Sequence, residues 1–297
     1  GKKIIIKSIK PNFRKIITNT KKYLQLNKKF NLNLSLKQYS KIFNDFSKNI
    51  KQGKTYQIKI AQTYSKKGNI NSIDLFWKLM KMNESPESFL IREKDYNIVS
   101  CSPETLILKK DNTIRTKPIA GTLRKTKQLN KNKALTFFRR NEKETKEHNM
   151  IVDMERNDLS KICKTGSVKI DKLKKVEEYR DLFHYVTTIK GVIKNKMSNH
   201  DIISSLMPGG SVIGCPKIST IQLLNRKEKF DRNIYTGSFG IIHSNGDMRF
   251  NIMIRTLLNF KNDIELSVAS GVILGSTAKK EYNENYIKAK SLLDLFN

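Results

Sequence analysis

SFLIREKDYNIVSCSPETLILKKDNTIRTKPI, residues 88–119, is the stretch on which the fold turns. Four runs within it, SFLIR, YNIVS, ETLILKK and TIRTKPI, are rich in β-branched and aromatic residues and are parted by charged, Asn, Asp or Pro breaks, so they read as successive strands. Working back toward the N-terminus, Leu36, Tyr39, Phe43, Phe46 and Ile50 recur at helical spacing, which predicts an amphipathic helix over 36–52. Ser35 followed by Gln38 forms a capping-box signature, and Gly53 closes the helix. TYQIKIAQT (55–63) then alternates like a strand, and a short helix over about 72–82 is expected with Ser72 as its cap. Working forward, helices are expected at roughly 128–158, strands near 166–170 and 184–190, and a further helix after PGGSVIGCPK (208–217). Tyr235 to Leu274 reads as hairpins with SNGD (244–247) as one turn, and a last helix runs from about Lys279 to Phe296. Strands and helices are mixed without regular βαβ alternation, so the fold class is α+β rather than a doubly wound sheet.

The 297 residues suffice for one large domain, with 1–34 expected to be the remnant of an N-terminal region. No apolar run approaches ~18 residues, so no membrane-spanning helix is expected. The cysteines, Cys101, Cys163 and Cys215, are three and widely spaced, which suits a reducing, cytoplasmic setting better than a disulfide framework or a zinc site. A net charge of +31 raises nucleic-acid binding as an alternative function. Against it, 46 of the 58 basic residues are Lys, spread evenly along the chain rather than gathered with aromatics on one element. No nucleic-acid partner is therefore expected.

Several residues carry possible chemistry. Glu144 and Glu147, and again Glu281 and Glu284, stand three apart on predicted helices, which puts each pair on one helix face. Two such faces opposed could hold a hard cation such as Mg²⁺; spacing alone equally describes a solvated surface. Lys288 follows Glu284 by one turn. PGGSVIGCPK and PIAGT (118–122) could offer backbone N–H groups to an anion, or be plain turns. His184 lies on an apolar stretch, where a hydrogen-bonded core residue and a titrating group both fit. Arg255, in NIMIRTLL, is expected inside an apolar strand, where a buried guanidinium needs an anionic partner from protein or ligand.

In order, SPE (102–104), PIAGT, EHNMIVDMERNDL (147–159), VEEYRDLFHYV (176–186), PGGSVIGCPK, YTGSFG (235–240), GDMRFNIMIRTL (246–257), ASGV (269–272) and EYNENYIKAK (281–290) resemble the chorismate-utilising enzymes. That family includes anthranilate synthase component I, aminodeoxychorismate synthase component I, and isochorismate and salicylate synthases. The resemblance implies two large, mainly antiparallel sheets in a sandwich flanked by helices. It implies Mg²⁺ bridging a chorismate carboxylate to Glu147 and Glu284, with Glu144 and Glu281 nearby. Gly121, Thr122, Tyr235, Arg255 and Gly271 fall on its substrate-contacting positions, as does Lys288. Ala269-Ser270-Gly271 replaces the family's GAG or GGG there, where the added Cβ at Ala269 could crowd the substrate or cost the backbone some freedom. Glu104 matches the general acid that protonates the departing C4 hydroxyl, His184 the histidine associated with pyruvate loss, and Lys288 completes the catalytic set.

By the same resemblance Gln57 stands where the family's water-activating Lys falls; it takes no proton at neutral pH and so favours ammonia as nucleophile. The implied partner is a glutamine amidotransferase subunit that supplies ammonia. The expected products are anthranilate and pyruvate, the first step of tryptophan biosynthesis. Aminodeoxychorismate synthesis is the alternative. Ala120 stands where many aminodeoxychorismate synthases place a nucleophilic Lys, while PGGS and GSFG…FNIMIRTL favour that alternative. NESPESF (83–89) weakly echoes a tryptophan feedback site.

Overall fold

The computed structural model describes residues 30–82, 84–179 and 182–296; the side chains of Ala120, Arg124 and Lys143 are outside that description, as are Asn83 and the greater part of 1–34. The strands gather into two seven-stranded sheets in which every pairing is antiparallel. The first sheet holds β1 (Asn31–Leu32), β2 (Gln57–Lys67), β3 (Glu87–Arg92), β4 (Tyr96–Ser102), β10 (Gly214–Cys215), β13 (Thr256–Phe260) and β14 (Asp263–Val272). Its order is β1-β2-β14-β13-β4-β3, with β10 also on β2. The second holds β5 (Thr105–Lys110), β6 (Thr113–Lys117), β7 (Ile119–Arg124), β8 (Lys169–Glu178), β9 (Leu182–Val192), β11 (Gly240–Ile242) and β12 (Met248–Asn251). Its order is β11-β12-β5-β6-β9-β7, with β8 also on β9. The four runs of 88–119 thus divide between both sheets, and TIRTKPI is split at Pro118, which has no N–H to continue a ladder.

The helices cover these sheets. The amphipathic stretch forms α1 (Leu36–Lys51), with Ser35 and Gln38 closing the capping box and Tyr39, Phe43 and Phe46 buried. For α2 (Ser72–Met82) the expected cap shifts by one residue: Asn71 accepts from the Asp74 N–H at 3.2 Å, while the Ser72 hydroxyl donates to Asn97. The remaining helices are α3 (Lys131–Arg140), α4 (Glu142–Ile162), α5 (Asn199–Leu206), one turn α6 (Gly210–Ile213), α7 (Lys217–Lys227) and α8 (Ala278–Leu293). The main core joins α1 and β2 (Phe46, Ile58, Ile60) to the second sheet and α4 (Ile107, Ile114, Leu159). A second cluster, including Leu75, Val99 and Leu266, lies under α2.

Two links carry the chain between sheets near the site. β4 passes to β5 through Pro103-Glu104, and β12 passes to β13 through residues 252–255. The links are bonded to each other: the Ile252 N–H donates to the Glu104 carbonyl at 3.0 Å, and the Ser102 hydroxyl to the Ile252 carbonyl at 2.6 Å. Arg255 therefore stands at a turn with φ 50°, not inside a strand as its apolar neighbours suggested. That turn starts β13 late. β13 pairs with β14 only as far as Leu266, so residues 267–272 of β14 have β2 on one side and no β13 on the other.

PGGSVIGCPK is a packed buttress. A Cβ at Gly214, where φ is 127°, would stand 2.1 Å from the Gln57 carbonyl oxygen, so only glycine lets β10 close on β2 behind Gln57. No helix among the described residues is long and apolar enough to cross a membrane.

Candidate active site

One half of the site is built from β2, α4, β14 and α8. Alternation along β2 turns Gln57 and Lys59 to one side, and both reach Glu147 on α4: Gln57 Nε2 donates to Glu147 Oε1 at 2.6 Å and Lys59 Nζ to the same oxygen at 2.8 Å. Gly271 on β14 backs them. A Cβ there would lie 2.6 Å from Gln57 Nε2, 2.8 Å from Lys59 Nζ and 3.2 Å from Glu147 Oε1. On α8, Lys288 Nζ pairs with Glu284 at 2.8 Å and donates to the Ala269 carbonyl on the open edge of β14 at 3.0 Å. Burial alone would raise the Glu147 carboxyl, but Lys59, then Lys288 and Gln57, hold it down at about 2. Burial likewise works against the Lys59 charge, and Glu147, with Glu284 and Glu281 behind it, more than offsets this, so its pKa lies above the ordinary value. Glu284 and Glu281 on α8 thus act on the same Lys59 ammonium that pairs with Glu147 on α4.

The other half lies at the sheet-to-sheet links. Glu104 is 4% exposed, and burial raises its carboxyl to about 7 despite the Ile119 backbone N–H, Lys59 and Arg255. Arg255 makes no ion pair or hydrogen bond through its guanidinium among the described residues; burial lowers its pKa, and Cys101, Glu104 and Tyr179 oppose that shift. His184 on β9 lies across from Thr122 on β7, and its Nδ1 is 2.9 Å from the Thr122 hydroxyl. Burial and the Arg255 charge bring the imidazole down to about 3, so it is neutral. Tyr179 packs its ring edge-on to His184 at 5.2 Å. Gly121, at φ 98°, has Phe138 and Glu144 Oε2 where a Cβ would be, so Glu144 stands against β7. Tyr235, Ala61 and Ala269 form a small buried apolar group, with the Ala269 methyl in it.

A chain of electrostatic influences therefore links His184 to Arg255, Arg255 to Glu104, Glu104 to Lys59, and Lys59 to Glu147 and Glu284, with Lys288 beside both glutamates. Ser270 is the exception. Its hydroxyl is fully buried on the opposite face of β14, 3.0 Å from the Tyr39 hydroxyl and donating to the Glu281 carbonyl at 2.9 Å, where it docks α8. Lys59 is the residue that sequence reading passed over. Its signal was available: two residues after Gln57 on a strand, a side chain shares the Gln57 face.

The four glutamates offer hard oxygen donors of the kind Mg²⁺ takes, Glu147 is ionised at any working pH, and the missing Cβ at Gly271 leaves space beside its Oε1. The donor chemistry fits such an ion. As they stand, no three His, Cys, Asp or Glu side chains among the described residues are grouped closely enough to hold a metal, and the ammonium groups of Lys59 and Lys288 sit on Glu147 and Glu284.

A buried acid with a raised pKa, a buried guanidinium without an ion pair among the described residues, and ammonium-carboxylate pairs on β2, α4 and α8 are the equipment of an enzyme for a small anionic substrate. The chain belongs to the chorismate binding enzyme family, whose family model matches residues 7–294. An anthranilate synthase component I-like protein of Synechocystis is 35% identical over 259 residues, covering 86% of this chain and 53% of its own. Aminodeoxychorismate synthase component 1 of Bacillus subtilis is 34% identical, covering 81% of this chain and 51% of its own. The crystal structure of anthranilate synthase component I from Streptococcus pneumoniae superposes with a TM-score of 0.81 at 29% identity, over 90% of this chain and 60% of that one. The chain spans about half the length of the curated relatives it matches.

Proposed function

We propose that the chain converts chorismate and ammonia to anthranilate and pyruvate, the entry reaction of tryptophan synthesis. The observation that carries this reading is Glu104, a buried carboxyl raised to about 7 and so about half protonated at neutral pH, within electrostatic reach of the buried Arg255. Chorismate is a dianion, and Arg255 and Lys288 supply cations for its carboxylates, with Gly121, Thr122, Tyr235 and Gly271 shaping the walls. Attack at ring carbon C2 shifts the double bond and expels the C4 hydroxyl. Hydroxide is a poor leaving group, and Glu104 delivers the proton that lets it leave as water. Gln57 takes no proton, and its Oε1 is buried without a hydrogen-bond partner among the described residues, an acceptor suited to an N–H of ammonia. His184, neutral and oriented by Thr122, serves the later loss of pyruvate, in which C2 gives up its proton, the ring carbon–oxygen bond to the enolpyruvyl group breaks, the enolpyruvyl methylene gains a proton to leave as pyruvate, and the ring becomes aromatic.

Glu147 and Glu284 are proposed to hold Mg²⁺, with Glu144 and Glu281 supporting them. That ion would supply positive charge to a substrate carboxylate. Ammonia is proposed to come from a glutamine amidotransferase partner, in the cytoplasm. Purified chain with chorismate, Mg²⁺ and ammonium should release fluorescent anthranilate and pyruvate in equal amounts. Accumulation of an amino-chorismate without pyruvate would instead assign the aminodeoxychorismate reaction, the second reading, which the Bacillus subtilis relative favours. Absence of both turnover and chorismate binding would remove both readings.

A further inference from the structure

Lys59 has no part in the proposed reaction, yet it occupies the centre of the site. It is 7% exposed, an unusual place for a lysine on a central strand. Its ammonium is 2.8 Å from Glu147 Oε1, and that oxygen already takes the Gln57 amide at 2.6 Å. Glu284 and Glu281 act on the same ammonium through space. The absent side chain of Gly271 leaves the volume the ammonium uses, since a Cβ there would stand 2.8 Å away from it. The acidic pair assigned to a divalent cation therefore already contains a cation supplied by the chain.

We propose that Lys59 is a resident counter-cation at Glu147, one that a divalent metal must displace in order to bind. The inference rests on the reading of Glu147 and Glu284 as metal ligands. An ammonium has no lone pair to give a metal, and two cations sharing one carboxylate repel strongly in a partly desolvated site. The four-carbon stem lets Lys59 withdraw without unfolding β2. Two consequences follow. Without metal, the buried carboxylate of Glu147 is never left uncompensated. With metal, binding is weakened by the displacement, so the chain's metal affinity is set partly by Lys59.

The test is Mn²⁺ and Mg²⁺ binding by calorimetry to the wild-type chain and to Lys59→Met and Lys59→Arg, each checked for folding by circular dichroism. Lys59→Met removes the competing charge and keeps the stem, and should tighten metal binding at least about tenfold. Lys59→Arg keeps the charge and should bind no tighter than wild type. Equal or weaker binding by Lys59→Met would overturn the inference while leaving the metal reading intact. Metal binding by neither wild type nor Lys59→Met would remove the metal reading and this inference with it. A measurement on the wild-type chain covers the case in which Lys59→Met fails to fold. In ¹⁵N-lysine-labelled protein, one buried ammonium resonance, absent from Lys59→Arg, should shift when Mg²⁺ is added. A resonance unchanged at saturating Mg²⁺ would overturn the displacement.

Discussion

Glu104→Gln should make the chain more stable and inactive at the same time, with the stability gain dependent on pH. The side chain is 4% exposed, and its carboxyl lies at about 7 in the folded chain against 4.5 ordinarily. Between those values the unfolded chain has released the proton and the folded chain keeps it, so folding stability falls as pH rises through that window. The full cost is present above pH 7 and absent below 4.5. A gap of about 2.5 in pKa corresponds to about 3 kcal/mol. Glutamine fills the same volume and never ionises. Urea unfolding should therefore show Glu104→Gln ahead by about 3 kcal/mol at pH 8 and by under ~1 kcal/mol at pH 5. Anthranilate formation should fall by about 10²–10⁴-fold, the usual contribution of a positioned general acid. Wild-type turnover should itself decline as pH climbs through about 7, because the acid is then spent. A stability gain equal at both pH values, or a variant that keeps its activity, would refute the reasoning from burial to protonation to chemistry.

Two further substitutions on β14 separate its faces. Gly271→Ala places a methyl within 2.6–3.2 Å of Gln57, Lys59 and Glu147 and should cost about 1–3 kcal/mol in urea unfolding, with a large loss of turnover. Ser270→Ala, one residue away, leaves the Tyr39 hydroxyl and the Glu281 carbonyl short of a partner. It should cost a similar ~1–3 kcal/mol while kcat stays near wild type, and a selective loss of kcat would return Ser270 to the substrate site.

Much of this architecture was legible because the local signals agreed with the tertiary result. The capping box at Ser35 and Gln38, the hydrophobic spacing of α1 and the SNGD turn of the β11–β12 hairpin each act within a few residues, and each formed as read. The glutamate pairs were ambiguous because spacing gives one face of a helix and says nothing of what faces it; that is decided by β14 and α8 folding back onto β2 from two hundred residues away. Arg255 was misread for a related reason. Its neighbours are apolar because they cross between two sheets, and that crossing requires the left-handed turn that takes Arg255 out of strand geometry. Ser270 and Gly271 adjoin in one motif, but adjacent strand residues point to opposite faces, and Ser270 faces Tyr39 and the Glu281 carbonyl. The Ala269 methyl lies against Ala61 and Tyr235, an apolar place for it.

Mass spectrometry of the product formed from chorismate and ¹⁵N-ammonium in the presence of Mg²⁺ decides whether this site joins ammonia to chorismate with acid assistance from Glu104. The wild-type chain should yield ¹⁵N-labelled anthranilate and Glu104→Gln almost none. An unlabelled hydroxylated product, or labelled anthranilate undiminished in Glu104→Gln, would contradict that chemistry.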